Sequence, residues 1–467
     1  MGKDKEGAKL DQMKESMAAA QGGDIKSTPA KTPAPAKKPA ATAPVPPMPT
    51  APPKEKVTAK PVQEKAPATS TSTLPPVPPI GNVAAAISPN SHKKVEREVV
   101  VDDAFEYDVA FKFSFLGAGQ AGGRLANAFY DLGYRRVSVM NTTDMDFQGL
   151  DEDIDRLSLD VGGAAKDAEF AAAQLDGREE EVWDLLTRSW GNSTEYAFIC
   201  VGLGGGTGSG LTPPLIEIAR KYMESNGQPP RVGAVLALPT VDEGQLIARN
   251  AINTFHTLLS MQASPLIIID NAKVNELYRP AMSKLHSTAN TSISQLFHMF
   301  NMLCEARGSI RTFDRSEFAQ LLDGGVVALA AAALEEVNSP ADLSTAIRDH
   351  LTQNVLAEVD LRKGKVGACL CVAHQDMLDE LPVDHFAAGW NQLERVLGSS
   401  YKKSGDVTPV VHPGLIAGEH PGIQIYMMAS ALDPPMKRLE ELAKKAGVGK
   451  ESLRSNMAAF LGVDDAK

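Results

Sequence analysis

Between residues 104 and 445 short apolar runs alternate with longer stretches whose apolar positions recur every three or four residues. That alternation of period-two and period-3.6 patterning predicts strands and helices in turn, the arrangement of an α/β protein built on a parallel sheet. Strands are expected at 109–116, 136–140, 196–201, 232–238 and 265–269, and in a later set at 325–332, 366–373 and 423–431. Helices are expected at 124–132, 168–190, 211–225, 342–356, 385–397 and 435–445, with another possible at 451–461. A further long helix, 290–306, carries Ile293, Leu296, Phe297, Phe300 and Leu303 as one stripe.

Upstream the pattern stops. Residues 28–87 are dominated by Ala, Pro, Lys and Thr, with runs such as Pro44-Val45-Pro46-Pro47 and Leu74-Pro75-Pro76-Val77-Pro78-Pro79. Such a segment cannot bury enough apolar area to offset its chain entropy. Residues 1–103 therefore read as a disordered arm, with a short charged helix near 5–21. The arm is either a passive solvated tail or a contact for an unidentified partner.

Charge sharpens the division. Residues 1–100 carry 15 basic and 9 acidic side chains, so of the total net charge of −11 the remainder holds −17. An acidic body is a poor electrostatic footprint for nucleic acid, and no direct sequence-specific binding to it is expected. The four cysteines (Cys200, Cys304, Cys369, Cys371) lack metal-ligand spacing, and Cys369 and Cys371 fall on one face of an apolar strand, as core thiols do. No apolar run approaches the roughly 20 residues that span a bilayer, and the start lacks a signal-peptide pattern. A cytoplasmic location is expected.

The chemistry concentrates in glycine. Gly204-Gly205-Gly206-Thr207-Gly208-Ser209-Gly210 follows the apolar run 196–201 and precedes a helical pattern. A strand, a glycine loop and a helix N-terminus together offer free backbone N–H groups and a positive dipole end to a run of phosphates. No Gly-Lys-Ser/Thr follows, so this is not a Walker A loop. The bland reading is a glycine-rich linker. A second turn, Gly117-Ala118-Gly119-Gln120-Ala121-Gly122-Gly123, fits a dinucleotide-binding Rossmann unit equally well, which keeps an NAD(P)-dependent oxidoreductase among the alternatives.

The first loop resembles the GGGT(G/S)(S/T)G phosphate loop of the tubulin/FtsZ superfamily of GTPases, and further motifs follow in family order over roughly 109–445. Gly119, Gln120, Ala121 and Gly122, with Asn127 in the helix beyond, look like the first nucleotide loop of tubulin and the archaeal CetZ proteins. Asn141, Thr142, Thr143 and Asp144 are similar to the family's Asn-Thr-Asp turn with one extra residue. Ala164 and Ala165 lie where the γ-phosphate loop is expected, beside an atypical Lys166. Glu243 matches a ribose-binding Glu, or is a helix N-terminal acid. Asn271 and Asn290 match the pair that grips guanine, although each alone is commoner as a cap or turn residue. Asp314 and Glu317, in Thr312-Phe313-Asp314-Arg315-Ser316-Glu317-Phe318, match the acids with which one subunit completes its neighbour's site; in isolation Asp-x-x-Glu before a helix is a capping pattern.

The resemblance implies a Rossmann-like GTP-binding domain at 104–287, a long central helix at 288–308, a smaller α/β GTPase-activating domain at 309–445 and a tail at 446–467. It implies GTP or GDP with Mg²⁺ as ligands and a head-to-tail homopolymer whose hydrolysis follows assembly. The implied role is positioning of DNA or phage, or control of cell shape, in a host cytoplasm if the gene is phage-borne. A division-ring protein and a non-polymerising relative are the alternatives. Thr312, Lys166 and Gln245 depart from the family pattern, and the tail matches neither the FtsZ tether peptide nor the acidic tail of tubulin.

Overall fold

The structure is a computed structural model that describes residues 101–449 except 106, 279–284, 308, 354–355, 400–407 and 421, together with Leu453. All described residues belong to one compact unit, Ser70–Lys467; the other unit, Met1–Thr69, lies outside them, as do residues 1–100 of the arm expected at 1–103 and the helix expected at 451–461, Leu453 apart. Val101 and Asp103, by contrast, bind the buried Arg136 of the folded body.

Eleven strands among the described residues form a single sheet. Six lie in the first half: β1 (Phe113–Ala118), β2 (Val137–Asn141), β3 (Asp155–Ser158), β4 (Tyr196–Gly202), β5 (Val232–Leu238) and β6 (Leu266–Asp270). All six are parallel, in the order β3-β2-β1-β4-β5-β6. Parallel strands in the middle of a sheet must be covered on both faces, which is why all but the half-buried edge strand β3 read as apolar runs. Every residue of β1 is buried, with Phe113 and Phe115 in one core and Leu116 and Ala118 in the other.

Helices α1 (Gly119–Tyr130), α2 (Ala168–Ala173), α3 (Glu179–Trp190), α4 (Gly206–Ser225), α5 (Gln245–Ser260), α6 (Asn271–Tyr278) and α7 (Leu285–Leu303) cover those faces. The Phe297 ring of α7 stacks on Phe113 with centroids 5.0 Å apart. Two expectations need correcting. Both glycine turns are already helical, since α1 begins at Gly119 and α4 at Gly206. The single helix expected over 168–190 is two, because Gly177 takes a left-handed φ of +74° between α2 and α3.

The second half supplies β7 (Ser309–Arg311), α8 (Arg315–Leu322), β8 (Val326–Leu334), α9 (Pro340–Gln353), β9 (Val366–His374), α10 (Gln375–Glu380), α11 (Val383–Val396), β10 (Val410–Gly418), β11 (Ile423–Leu432) and α12 (Met436–Ala446). Its strands continue the sheet as β8-β11-β9-β10-β7. Among the described residues the sheet pairing between the two halves is confined to two residue pairs, Leu266 with Val326 and Ile267 with Val327. All four cysteines are free and buried.

Candidate nucleotide-binding site

Reversal of strand order between β1 and β4 leaves a crevice at their carboxyl ends, the place where open α/β sheets take ligands. A cavity of about 440 Å³ lies there. The N-termini of α1 and α4 both open onto it, and neither helix has a side-chain cap or an acid in its first turn. Those first-turn N–H groups and the positive dipole ends remain available to an anionic ligand. Lys166 and Arg124 add cationic side chains to the wall.

The glycines allow the two turns to touch. A Cβ on Gly122 would stand 2.1 Å from the Cys200 carbonyl oxygen, so α1 lies against the end of β4 only because that residue lacks a side chain. Gly119 has φ +72° and approaches the backbone of Gly208. Across the crevice, the Thr207 and Thr142 hydroxyls are 2.7 Å apart and bridge α4 to the end of β2.

The residues singled out in the sequence divide into two sets. Gly119, Gln120, Ala121, Thr142, Ala164, Ala165, Gly205, Gly206, Thr207, Gly208, Glu243, Asn271 and Asn290 line the crevice. The others do not line it, and most of them support it. The Gly204 N–H donates to Ser209 Oγ at 2.8 Å, closing the loop on itself. Gly210 packs on the Ala168 carbonyl of α2, and Gly122 on Cys200. Thr143 caps the turn 144–147 by accepting from the Met145 N–H. Asn141 accepts from the Thr142 N–H at 2.8 Å and donates to Asp146. Asn127 accepts from the Asp151 N–H and donates to Asp131, away from the cavity.

Glu243 lines the cavity and is also half of a capping box, its Oε1 accepting from the Thr240 N–H at 2.7 Å. Asn271 is the first residue of α6 and is buried, whereas Asn290 lies in the second turn of α7. Asp314 and Glu317 do not line the crevice. They form the capping box of α8: Asp314 Oδ1 accepts from the Glu317 N–H at 2.9 Å and Glu317 Oε2 from the Asp314 N–H at 3.0 Å. Hydrogen bonds from Ser316 and from the Glu317 backbone hold the Asp314 carboxyl below the usual range, and the nearby His412 adds to the effect.

Three groups escaped the sequence reading. Asp146 accepts from both Gln120 Nε2 and Asn141 Nδ2 and so sets the two amides; its signal was an acid two residues past Asp144. Asn250 of α5 is buried and donates to the carbonyls of Lys166 (2.8 Å) and Gly204 (3.1 Å), tying two crevice loops together. Ala165 and Lys166 both adopt left-handed φ, and their position depends on such ties. His286, one turn before Asn290, also lines the wall, and no sequence signal marked it.

Two uncapped helix N-termini, a glycine-lined floor and a switch-point crevice define a phosphate-binding α/β protein. Residues 112–279 match the Tubulin/FtsZ family, GTPase domain. The tubulin-like protein CetZ2 of Haloferax volcanii is 27% identical over 311 residues, covering 63% of this chain and 84% of the relative. The tubulin-like protein TubZ of Bacillus cereus is 24% identical, over 72% and 82% of the two chains. Among solved structures, a GTPγS-bound CetZ2 protofilament from the same archaeon superposes with TM-score 0.59 at 21% identity, over 74% of this chain and 98% of that one. GDP-form protofilaments of TubZ from Bacillus thuringiensis serovar israelensis give 0.60 at 18% identity, over 76% and 95%. Residues 112–279 thus carry a GTPase domain of the Tubulin/FtsZ family, and the fold of the described chain is that of CetZ and TubZ.

Proposed function

We propose that this protein binds and hydrolyses GTP and assembles head to tail into filaments, each subunit's acidic loop completing the site of the next. One observation carries the reading. Arg315, between Asp314 and Glu317, donates to the Ala110 carbonyl at 2.7 Å and pairs with Glu195. Ala110 lies three residues before β1 and Glu195 immediately before β4, whereas the crevice lies beyond the far ends of those strands. β1 has six residues, so about 20 Å of strand separates the carboxylates from the chain's own crevice. They can act on a nucleotide only from another subunit.

In this scheme Gly205–Gly208 and the α1 turn hold the phosphates, Glu243 the ribose, and Asn271 and Asn290 the base. Mg²⁺ fits the donor set, because Thr142, Thr207 and Asp146 offer oxygens and Mg²⁺ takes one or two protein oxygens besides phosphates and water. Bound there it offsets charge on the phosphates. Glu317, carried by the neighbour, orients the attacking water, so hydrolysis follows assembly. Residues 104–287 then act as the nucleotide-binding part, 288–308 as the connecting helix and 309–445 as the activating part. Because contacts of this kind do not close, they generate a filament. We place it in the cytoplasm, with a role in positioning or cell shape, the residue 1–103 arm being available to a partner.

Phosphate release from GTP measured against protein concentration, with light scattering on the same samples, tests the scheme. Turnover per subunit that rises above a threshold together with scattering is expected. Flat turnover without scattering would refute assembly-dependent hydrolysis.

A further inference from the structure

The last helix of the described chain carries a buried arginine that the site as drawn so far does not use. Arg438 of α12 has a side chain 6% exposed, as is its partner Asp270. Its Nε donates to Asp270 Oδ1 at 3.1 Å, its Nη1 to Glu441 Oε2 at 3.1 Å, and its Nη2 to the Pro239 carbonyl. The second and third partners are unlike the first in kind. Glu441 is an exposed neighbour on the same helix. Pro239 belongs to the loop after β5 and itself lines the cavity, while Asp270 ends β6 immediately before Asn271.

One guanidinium therefore spans the ends of two adjacent strands whose next residues face the nucleotide crevice. Its planar fork fixes the spacing and direction of both ends, which an ammonium on a flexible stem would not do. Asp270 is also held from its own side, since its Oδ1 accepts from the Ala272 N–H at 3.1 Å and its N–H donates to the Leu356 carbonyl at 2.8 Å. At the other end of α12, the Ala446 carbonyl accepts from Gln245 Nε2 at 3.3 Å, two residues past Glu243. Helix α12 thus braces the whole stretch from Pro239 to Gln245 and the Asp270–Asn271 corner.

We infer that Arg438 is a positioning residue for nucleotide affinity: it sets the separation between the Pro239–Glu243 loop and Asn271, and with it the ribose and base side of the pocket. The inference rests on the GTP-site reading above. It makes the second half of the chain part of the binding site through α12, independently of the acidic loop that acts on a neighbour. Because the braced groups meet the base and ribose, loss of the brace weakens nucleotide binding and leaves the phosphate and water geometry of turnover in place.

The test uses the full chain and titration with N-methylanthraniloyl-GDP, together with KM and kcat for GTP. R438M leaves Asp270 as an unpaired buried carboxylate and is at risk of not folding, so R438M/D270N is measured beside it, with R438K as the conservative replacement. The expected result for the double variant is folded protein with a dissociation constant and KM raised tenfold or more, and kcat at saturating GTP within twofold of wild type. R438K is expected to fall between the two. A folded double variant whose affinity and KM stay within twofold of wild type would overturn the inference, whatever its melting temperature. Failure of wild-type protein to bind the guanine nucleotide at all would instead overturn the reading beneath it.

Discussion

His298 makes the fold acid-sensitive in a way that can be worked out from its surroundings. The ring is fully buried on α7, with Tyr107 Oη 2.7 Å from Nε2 and Tyr134 Oη 3.0 Å from Nδ1. Asn301 Nδ2 donates to Tyr134 Oη at 3.3 Å, which leaves that hydroxyl's proton for Nδ1 and makes Nε2 the protonated nitrogen of a neutral imidazole. Burial lowers the pKa from 6.5 to about 4. The unfolded chain therefore binds one more proton than the folded chain between those two values, and stability falls as pH drops through that window. At 1.36 kcal/mol per pKa unit the full loss is about 3 kcal/mol, of which about 2 kcal/mol is spent between pH 7 and pH 5. Carboxylates titrate in the same range, so the assay is comparative: urea midpoints from pH 7 to pH 5 for wild type and His298→Gln. The variant is expected to be less stable at pH 7 and to lose about 2 kcal/mol less on acidification. Parallel pH curves for the two proteins would refute the assignment of the acid sensitivity to His298.

Other perturbations test the site. Gly122→Ala sets a methyl against the Cys200 carbonyl and is expected to destabilise by about 3 kcal/mol, the upper end for overpacking; a urea midpoint within error of wild type would contradict the close approach. Thr207→Val keeps the shape but removes a hydroxyl 2.7 Å from Thr142, and nucleotide affinity is expected to fall about tenfold by fluorescence titration. Glu317→Ala is expected to keep nucleotide binding and sedimentable polymer while slowing turnover about a hundredfold; unchanged turnover removes Glu317 from the scheme. Asp314→Ser preserves an N-cap, so a drop in turnover at unchanged melting temperature separates the chemistry of Asp314 from its capping role.

Five of the six parallel strands of the first half were legible because burial on both faces leaves apolar runs, and the expected 232–238 strand coincides with β5. The half-buried edge strand β3, Asp-Arg-Leu-Ser, was not expected. The glycine loop was legible because few local structures put so many glycines between a strand and a helix. What escaped the sequence lies where tertiary contacts overrule local pattern. Strand β10 contains Pro413 and Gly414 and was missed; its outer neighbour β7 pairs only at Leu415 and Ile416, so a residue without an N–H is tolerated there. The division of Thr142 from Thr143 was equally hidden, because it turns on which hydroxyl the fold points at Thr207. Arg438 lies 168 residues from Asp270 in sequence, and no local signal connects them.

The narrow join between β6 and β8 has a mechanical consequence. In the head-to-tail filament proposed above, a subunit under tension would carry the load from its nucleotide end to its acidic-loop end, across the boundary between its halves. Among the described residues, sheet pairing spans that boundary at Leu266–Val326 and Ile267–Val327 alone. The rest of the tension is shared by α7, by the grip of α12 on α5 and the strand ends, and by side-chain ties such as Tyr196 to Asp323 and Arg315 to Glu195. In the proposed filament, loosening α12 would disturb the Pro239–Gln245 stretch and the Asp270–Asn271 corner without breaking a strand pair, which would couple load to nucleotide release.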